Sequence, residues 1–273
     1  MGLNRKETAA VFDKLVKRAL SDAATVAGRV NEVPWIVAFH ERVSTDLELA
    51  LRATPSRTGP VNVASSLVHG TTFTVDVPGS TSGAEIGDLL IVGEELDSKT
   101  STVLRREALL LQMKIGFASP TGPSSANQLR LYGTWKAVGW RTSVLRDLTP
   151  RPRTVNPAER GVARFGLLPS SPRGKPAECR EVASTTALDA SGIPLAAAMA
   201  LPACISLGID ATPGAPDGWS RVVEDILSIA RVREYQDKSR HHEVAVPHDS
   251  RYEQRRDHML VLVVGSAPPQ AID

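Results

Sequence analysis

Two apolar segments separated by a short polar turn restrict the possible folds of this chain more than any other feature. The first segment, AEIGDLLIVGEE, covers residues 84–95, and the second, EALLLQMKIGF, covers residues 107–117. Each is apolar enough to form a buried strand, and the intervening LDSKTS is typical of a hairpin loop. The sequence therefore predicts an antiparallel hairpin in the protein core.

Three polar residues interrupt this predicted hairpin. Asp88 lies near the start of the first segment, and Gln112 and Lys114 lie near the end of the second. Residues two apart in a strand share a face, so Gln112 and Lys114 point the same way. Asp88 is eleven residues before residue 99, in the turn, and Gln112 is thirteen after it, so pairing places them side by side. Burying such groups without partners is costly, so either these strand ends reach solvent or the polar groups meet around a ligand.

These residue types suit the hydrolysis of a phosphodiester with the help of a metal ion. Mg²⁺ prefers oxygen ligands and keeps several waters, and a carboxylate with a carboxamide oxygen leaves room for both phosphate and water. A nearby lysine can hold the water or offset charge that develops on the phosphate. In the alternative interpretation, Asp88 caps a turn, Lys114 solvates a strand end, and Gln112 bonds to the backbone.

The pattern of Asp88 followed by Gln112-Met113-Lys114, after a helix that carries glutamates, resembles the PD-(D/E)xK nuclease superfamily. The glutamine at the first position of the last motif, Gln112, makes the pattern similar to that of the Mrr-type restriction endonucleases. The resemblance covers roughly residues 35 to 145 and implies a restriction-endonuclease-like core.

The same resemblance implies a role for each matching residue. Asp88 would be the central metal ligand, Gln112 the ligand at the variable position, and Lys114 the catalytic lysine. Glu41 would be the helix glutamate that completes the Mg²⁺ or Mn²⁺ site, with Glu48 as the second choice.

The order of predicted elements indicates an α/β (α+β) protein with a mixed central sheet flanked by helices. Helical periodicity is predicted over residues 5–31 and from about 35 to 53, and Pro34 is interpreted as the break between them. Three segments follow from this order: an N-terminal helix (1–34), a nuclease-like core (35–146), and a C-terminal extension (147–273). The extension is expected to pack a basic Pro-rich crossing, helices and a final strand on the same core.

The chain has a net charge of only +2, but many of its basic residues are concentrated in one block. Residues 130–175 carry ten Lys or Arg against Asp147 and Glu159 only. Such a block suits contact with a phosphate backbone, but a solvated Pro-rich linker explains it equally well. The candidate DNA-binding residues are Arg130, Lys136, Arg141, Arg146, Arg151 and Arg153.

Cysteine usage and hydropathy bear on the expected compartment. Cys179 and Cys204 form neither a metal motif nor a disulfide framework, which favours a reducing cytoplasm. No apolar run approaches the ~18 residues that would indicate a membrane span. The first residues predict a charged amphipathic helix and not a secretory signal.

Three hypotheses for function follow. The first is a Mg²⁺-dependent endodeoxyribonuclease that acts on DNA in restriction or phage defence, as a homo-oligomer or with partner proteins of a defence system. The second is a catalytically degenerate nucleic-acid-binding or assembly protein with the same fold. The third is a structural module of a larger complex. Incubation with plasmid and metal separates the first two, and the defence role rests on the resemblance alone.

Overall fold

The chain folds into a mixed β-sheet with helices on both faces. The computed structural model describes residues 3–57, 59–69, 73–77, 79–134, 139–141, 161–206, 210–214, 218–230, 242–243 and 258–267. The helices in these ranges are α1 (Arg5–Ala27), α2 (Glu32–Arg42), α3 (Glu48–Arg52), α4 (Pro123–Thr134), α5 (Leu195–Ala203) and α6 (Gly218–Ala230), with a π-helical segment at Val43–Leu47. The strands are β1 (Val61–His69), β2 (Thr74–Val75), β3 (Ala84–Glu85), β4 (Leu89–Leu96), β5 (Val103–Ile115), β6 (Ala163–Leu168), β7 (Glu178–Arg180), β8 (Val182–Ser184), β9 (Ala187–Leu188), β10 (Ile193–Pro194), β11 (His242–Glu243) and β12 (His258–Ser266).

Eight of these strands form one sheet in the order β10-β7-β6-β5-β4-β12-β1-β11. β4 and β5 pair as the predicted antiparallel hairpin, whereas β4 runs parallel to β12 and β5 runs parallel to β6. The prediction of a mixed central sheet flanked by helices is therefore confirmed. No helix in the described ranges is long and apolar enough to cross a membrane.

Side-chain alternation along β4 divides the core into two layers. Leu89 and Ile91 face a cluster that includes the apolar sides of α1, α2 and α5. Leu90 and Val92 face the cluster formed with α4 and α6. Fully burying such a side chain stabilises the fold by roughly 1.5–3 kcal/mol, so both faces of the central hairpin hold their helices firmly. The polar positions of the hairpin are thereby fixed in space.

One close contact sets the position of α5 on the sheet. A Cβ atom built on Gly93 of β4 would lie 1.7 Å from the carbonyl oxygen of Pro202 in α5. No larger residue fits there unless the helix moves, so glycine allows the α5 backbone to touch the middle of the hairpin.

The helix α2 begins at Glu32, earlier than the predicted start near residue 35. Pro34 is its third residue and was wrongly interpreted as a break. The first four N–H groups of a helix have no partner within it, so a proline in the first turn removes no hydrogen bond. The shift of three residues adds a glutamate to the N-terminus of the helix.

The polar residues of the hairpin lie at one end of the sheet. Leu89 pairs with Leu111, which places Asp88 opposite Gln112 at the start of β4 and near the end of β5. β6 ends at the same side, because it runs parallel to β5. We call this region the Asp88 end of the sheet. The hairpin turn lies at the opposite end, where Asp97 accepts hydrogen bonds from backbone N–H groups.

Candidate functional site

The carboxylate of Asp88 lies almost entirely inside the protein, with 8% of the residue exposed. Its Oδ2 accepts a hydrogen bond from the side-chain amide of Gln112 across the hairpin. It also accepts one from the backbone N–H of Met113 at 2.6 Å. The predicted meeting of Asp88 and Gln112 is therefore confirmed. Both of these hydrogen bonds go to Oδ2.

Burial raises the pKa of Asp88 from its usual 3.8 to about 8, because a carboxylate that has lost its water is hard to ionise. The ammonium of Lys114 and the N–H of Met113 act in the opposite direction but do not compensate fully. The carboxylates of Glu32 and Glu85 raise the pKa further. At neutral pH Asp88 therefore favours its protonated form, and a cation bound beside it would favour the carboxylate instead.

A pair of buried glutamines extends the cluster from β5 to α4. The Oε1 of Gln112 accepts a hydrogen bond of 2.8 Å from the Nε2 of Gln128. The Oε1 of Gln128 is buried and has no hydrogen-bond partner among the described residues. Leaving a buried carbonyl unpaired costs about 1–3 kcal/mol, so Gln128 brings an unused acceptor to the site.

Tyr132 lies one turn after Gln128 on α4 and fixes the chain that leads to Asp88. Its hydroxyl donates a 2.6 Å hydrogen bond to the carbonyl oxygen of Ile86. Burial and the neighbouring Asp88 carboxylate raise the pKa of Tyr132 well above its usual value. The tyrosine is therefore a neutral hydrogen-bond donor that ties α4 to the start of β4.

Lys114 forms the more accessible part of the cluster. Its Nζ pairs with Oε2 of Glu32 at the N-terminus of α2, at 3.0 Å. The side chains of Lys114 and Glu32 are 18% and 36% exposed, whereas Asp88 is nearly enclosed. A ligand from solvent would therefore meet the lysine and the helix glutamate before it reached Asp88.

The helix glutamate at the site is Glu32, and the two residues expected in that role lie elsewhere. Glu48 is buried, pairs with Arg52 at 2.8 Å and accepts a hydrogen bond from the N–H of Val63. Glu41 is exposed and lies nine residues after Glu32. Nine residues correspond to ~13.5 Å along a helix and about half a turn around it. Neither Glu41 nor Glu48 therefore takes the position beside Lys114 that Glu32 occupies.

Three residues of the cluster were missed in the sequence. Glu32 was missed because Pro34 was taken as a break, although a proline in a first turn is itself a sign that a helix starts. Gln128 and Tyr132 are four residues apart on α4, which places them on one face. That spacing was the available signal for a polar helix face directed at the hairpin.

Two of the predicted DNA-binding residues are described, and both bind the protein itself. Arg130 donates to the carbonyl oxygen of Gly79 at 3.1 Å. Arg141 pairs with Asp76 and donates to the carbonyl oxygen of Thr81. These arginines hold the segment that precedes β3, so they are less available to phosphates than was expected. The other four candidates, Lys136, Arg146, Arg151 and Arg153, lie outside the described residues.

The chemistry of the cluster fits a hard divalent cation. Asp88 and Glu32 supply carboxylates, and Gln112 supplies an amide oxygen, which are ligands that Mg²⁺ and Mn²⁺ accept. Among the described residues, no three His, Cys, Asp or Glu side chains are arranged to hold a metal ion. A cation here would therefore depend on amide oxygens as well as carboxylates. The unpaired Oε1 of Gln128 agrees with such a use.

Comparisons of this chain with models of protein families, with curated proteins and with solved structures gave no match. The resemblance to PD-(D/E)xK nucleases therefore stays a prediction. Functional inference rests on the geometry and charge at the Asp88 end of the sheet.

Proposed function

We propose that this protein is a divalent-metal-dependent nuclease that hydrolyses phosphodiester bonds of DNA. One observation carries the proposal: Asp88 and Gln112 are bonded across the hairpin while Lys114, two residues on, pairs with a glutamate from a helix terminus. A carboxylate, an amide oxygen, an ammonium and a second carboxylate thus converge at one end of the sheet. A role in restriction or defence against foreign DNA belongs to the same proposal and rests on the resemblance alone.

Asp88 and Glu32 would hold Mg²⁺ or Mn²⁺ through their carboxylates. Gln112 would add its amide oxygen only if its carboxamide turned round, because its Nε2 now faces Asp88 and its Oε1 accepts a hydrogen bond from Gln128. The ion would supply Lewis-acid chemistry, lowering the pKa of a bound water and polarising the phosphate.

Lys114 is placed to act on the substrate. Its only ion pair within the described residues is the one with Glu32, so its ammonium lies beside a carboxylate that is itself a proposed ligand. If Glu32 held a cation, Lys114 would be free to donate hydrogen bonds to the attacking water or to a phosphate oxygen. Groups that meet charge as it develops in the transition state contribute most to catalysis.

The second candidate is a nucleic-acid-binding or assembly protein with the same fold and no chemistry. The observation that favours it is that Gln112 and Lys114 already have protein partners without an ion. Gln112 uses both ends of its amide, on Asp88 and Gln128, and Lys114 is paired with Glu32. In that case the sole role of the network is to provide hydrogen bonds for buried polar groups.

The proposal is tested by incubating the purified protein with supercoiled plasmid in Mg²⁺, in Mn²⁺ and in chelator. Cleavage that needs the metal and is lost in Asp88→Asn supports the nuclease. Asp88→Asn keeps the size and the hydrogen-bonding capacity of the side chain while it removes the charged ligand. Metal-independent retention of DNA without cleavage would favour the second candidate.

A further inference from the structure

We infer that the loop between β6 and β7, residues 169–177, is a DNA-contact surface in which Arg173 and Lys175 bind phosphates of the strand that enters the site. We call this segment the β6–β7 loop. The inference rests on the proposed nuclease function, because it names the surface that would hold the substrate of that site. It is carried by the position, the charge and the shape of the loop.

The loop lies at the Asp88 end of the sheet. β5 and β6 run in parallel, and Ile115 at the end of β5 pairs with Leu168 at the end of β6. The two chains stay together beyond the strands, because the N–H of Gly116 donates to the carbonyl oxygen of Leu168 at 2.8 Å. The β6–β7 loop therefore begins beside the residues that follow Lys114.

Arg173 and Lys175 are exposed, and neither forms an ion pair within the described part of the chain. The two acids on or next to β7 are already paired. Glu178 binds Arg180 at 2.7 Å and Glu181 binds Arg164 at 2.7 Å. The loop therefore presents uncompensated positive charge, which is the requirement for contact with a phosphate backbone.

The loop also has a defined shape. The N–H of Gly174 donates to the carbonyl oxygen of Ser171 at 3.0 Å, which closes a turn between the two cations. A Cβ on Gly174 would lie 2.8 Å from the Cβ of Pro169, so the turn is too tight for a larger residue. Prolines at 169, 172 and 176 restrict the backbone further. A loop that is ordered before binding loses less entropy when it meets a ligand.

Phe117 joins the loop to the site. It follows Lys114 by three residues, so their Cα atoms are at most about 11 Å apart. The Nζ of Lys175 lies 5.8 Å from the centre of the Phe117 ring, and Arg180 donates to the Phe117 carbonyl oxygen at 3.2 Å. Successive phosphates of one DNA strand are ~3.4 Å apart along the helix axis, so a bound strand places several of them within this span.

The surface replaces part of the one expected from the sequence. Arg130 and Arg141 were predicted to bind DNA, but both hold the segment before β3. Arg173 and Lys175 belong to the same basic block of residues 130–175 and remain open to solvent. The basic block therefore contributes to binding through its last two members.

The test measures binding and not cleavage, so that it does not depend on catalysis. Binding of a fluorescent DNA duplex is measured by anisotropy in chelator over a series of salt concentrations, for the parent and for Arg173→Ser/Lys175→Ser. The matched control is Lys14→Ser/Lys99→Ser, which removes two exposed lysines, one on α1 and one at the hairpin turn. We expect the loop variant to lower the salt slope by about 1.8, at ~0.9 for each phosphate contact, and the control to match the parent.

Each outcome separates the two proposals. A parent that binds DNA without cutting it, with a reduced slope in the loop variant, sustains this surface and overturns the nuclease. A parent that cuts DNA while the loop variant binds with the parent's slope and affinity overturns this surface and leaves the nuclease. An equal reduction of the salt slope in the control variant would show that any exposed positive charge attracts DNA. That result would also overturn the β6–β7 loop as a DNA-contact surface. Binding of RNA of the same sequence with no binding of DNA would overturn the assignment of DNA as the partner.

Discussion

At the scale of single residues, Asp88 links the stability of the protein to pH. Its pKa is raised to about 8 in the folded state by burial, whereas an unfolded chain restores the ordinary value of ~3.9. The folded state therefore holds a proton that the unfolded state releases. The contribution of Asp88 to stability is complete below about pH 4 and is lost as pH rises through about 8, by at most about 1.4 kcal/mol per pH unit.

For the metal-free protein, we expect the free energy of unfolding to fall between pH 5 and pH 8. Urea denaturation at each pH measures this change. Asp88→Asn removes this ionisation and should flatten that part of the profile. Saturating Mn²⁺ should flatten it in the parent as well, because the ion favours the carboxylate. An identical pH profile for the parent and Asp88→Asn would show that Asp88 does not titrate in this range.

Lys114 is expected to matter for rate and not for metal binding. Lys114→Ala should slow plasmid cleavage by ~10²-fold, which is the usual effect of removing one contact that stabilises the transition state. The stabilisation by Mn²⁺ should persist, because the proposed ligands remain. Lys99→Ala, at the opposite end of the hairpin, is the control and should cut at the parent rate. If Lys114→Ala cuts as fast as the parent, this lysine is not catalytic.

Gln112→Glu distinguishes a metal ligand from a structural amide. In the absence of metal, a glutamate there would lose the hydrogen bond that Gln112 donates to Asp88 and would bring two carboxylates together. The variant should therefore be less stable than the parent at pH 8 without metal. With Mn²⁺ it should gain more stability than the parent and still cut DNA. Thermal melting with and without Mn²⁺ measures the stabilisation, and plasmid cleavage measures the activity. A variant that gains no extra stability from Mn²⁺ and does not cut DNA would indicate a purely structural glutamine.

At the scale of elements, the strands of the core were predictable because their patterns are local. The hairpin, the length of its turn and the facing of Asp88 and Gln112 follow from apolar runs and from the two-residue period of a strand. The insertion of β12 between β4, to which it is parallel, and β1, to which it is antiparallel, joins distant parts of the chain. No local pattern specifies it. Pairing of this kind is set by packing across the whole sheet.

The helix contributions to the site were harder to predict for a physical reason. Pro34 disrupts a helix interior but fits a first turn, and its effect depends on where the helix begins. Gln128 reads as an ordinary polar residue on an amphipathic helix until the partner of its face is known. Glu32 is identified as part of the site by its contact with Lys114, and Gln128 by its contact with Gln112. The sequence around each residue does not identify it.

The start of α2 provides a prediction about which glutamate serves the site. Glu32→Gln should weaken stabilisation by Mn²⁺ and slow cleavage at limiting metal, because it removes the carboxylate beside Lys114. Glu41→Gln changes the same residue type on the same helix, at an exposed position about two and a half turns further along. It should leave both quantities unchanged. Metal titrations of the two variants compare them directly, and the reverse result would restore Glu41 as the helix ligand.

At the scale of the whole molecule, the central hairpin carries polar groups of different kinds at its two ends. Near the turn, Arg106 is fully buried and its guanidinium contacts Glu94 at 2.8 Å. The same arginine is held to the segment after residue 209, since its side chain and backbone donate to Ala211 and Thr212. Asp88 and Glu94 are six residues apart, about 20 Å along the strand. The two clusters are therefore separate: the Arg106–Glu94 pair ties the hairpin to the chain near residue 211, and the Asp88 cluster lies at the other end.

This separation predicts that stability and activity can be changed independently. Arg106→Met should lower the free energy of unfolding by about 3–5 kcal/mol, because it leaves the Glu94 carboxylate buried without its charge partner. Adding Glu94→Leu should recover much of that loss, since an apolar pair of similar volume avoids the buried charge. Under conditions where each variant is folded, Mn²⁺ binding and cleavage should match the parent, because the Asp88 cluster is untouched. Urea unfolding and metal titration measured side by side give the answer. A loss of metal binding in the refolded double variant would mean that the two ends of the hairpin are coupled, and that the site depends on the sheet as a whole.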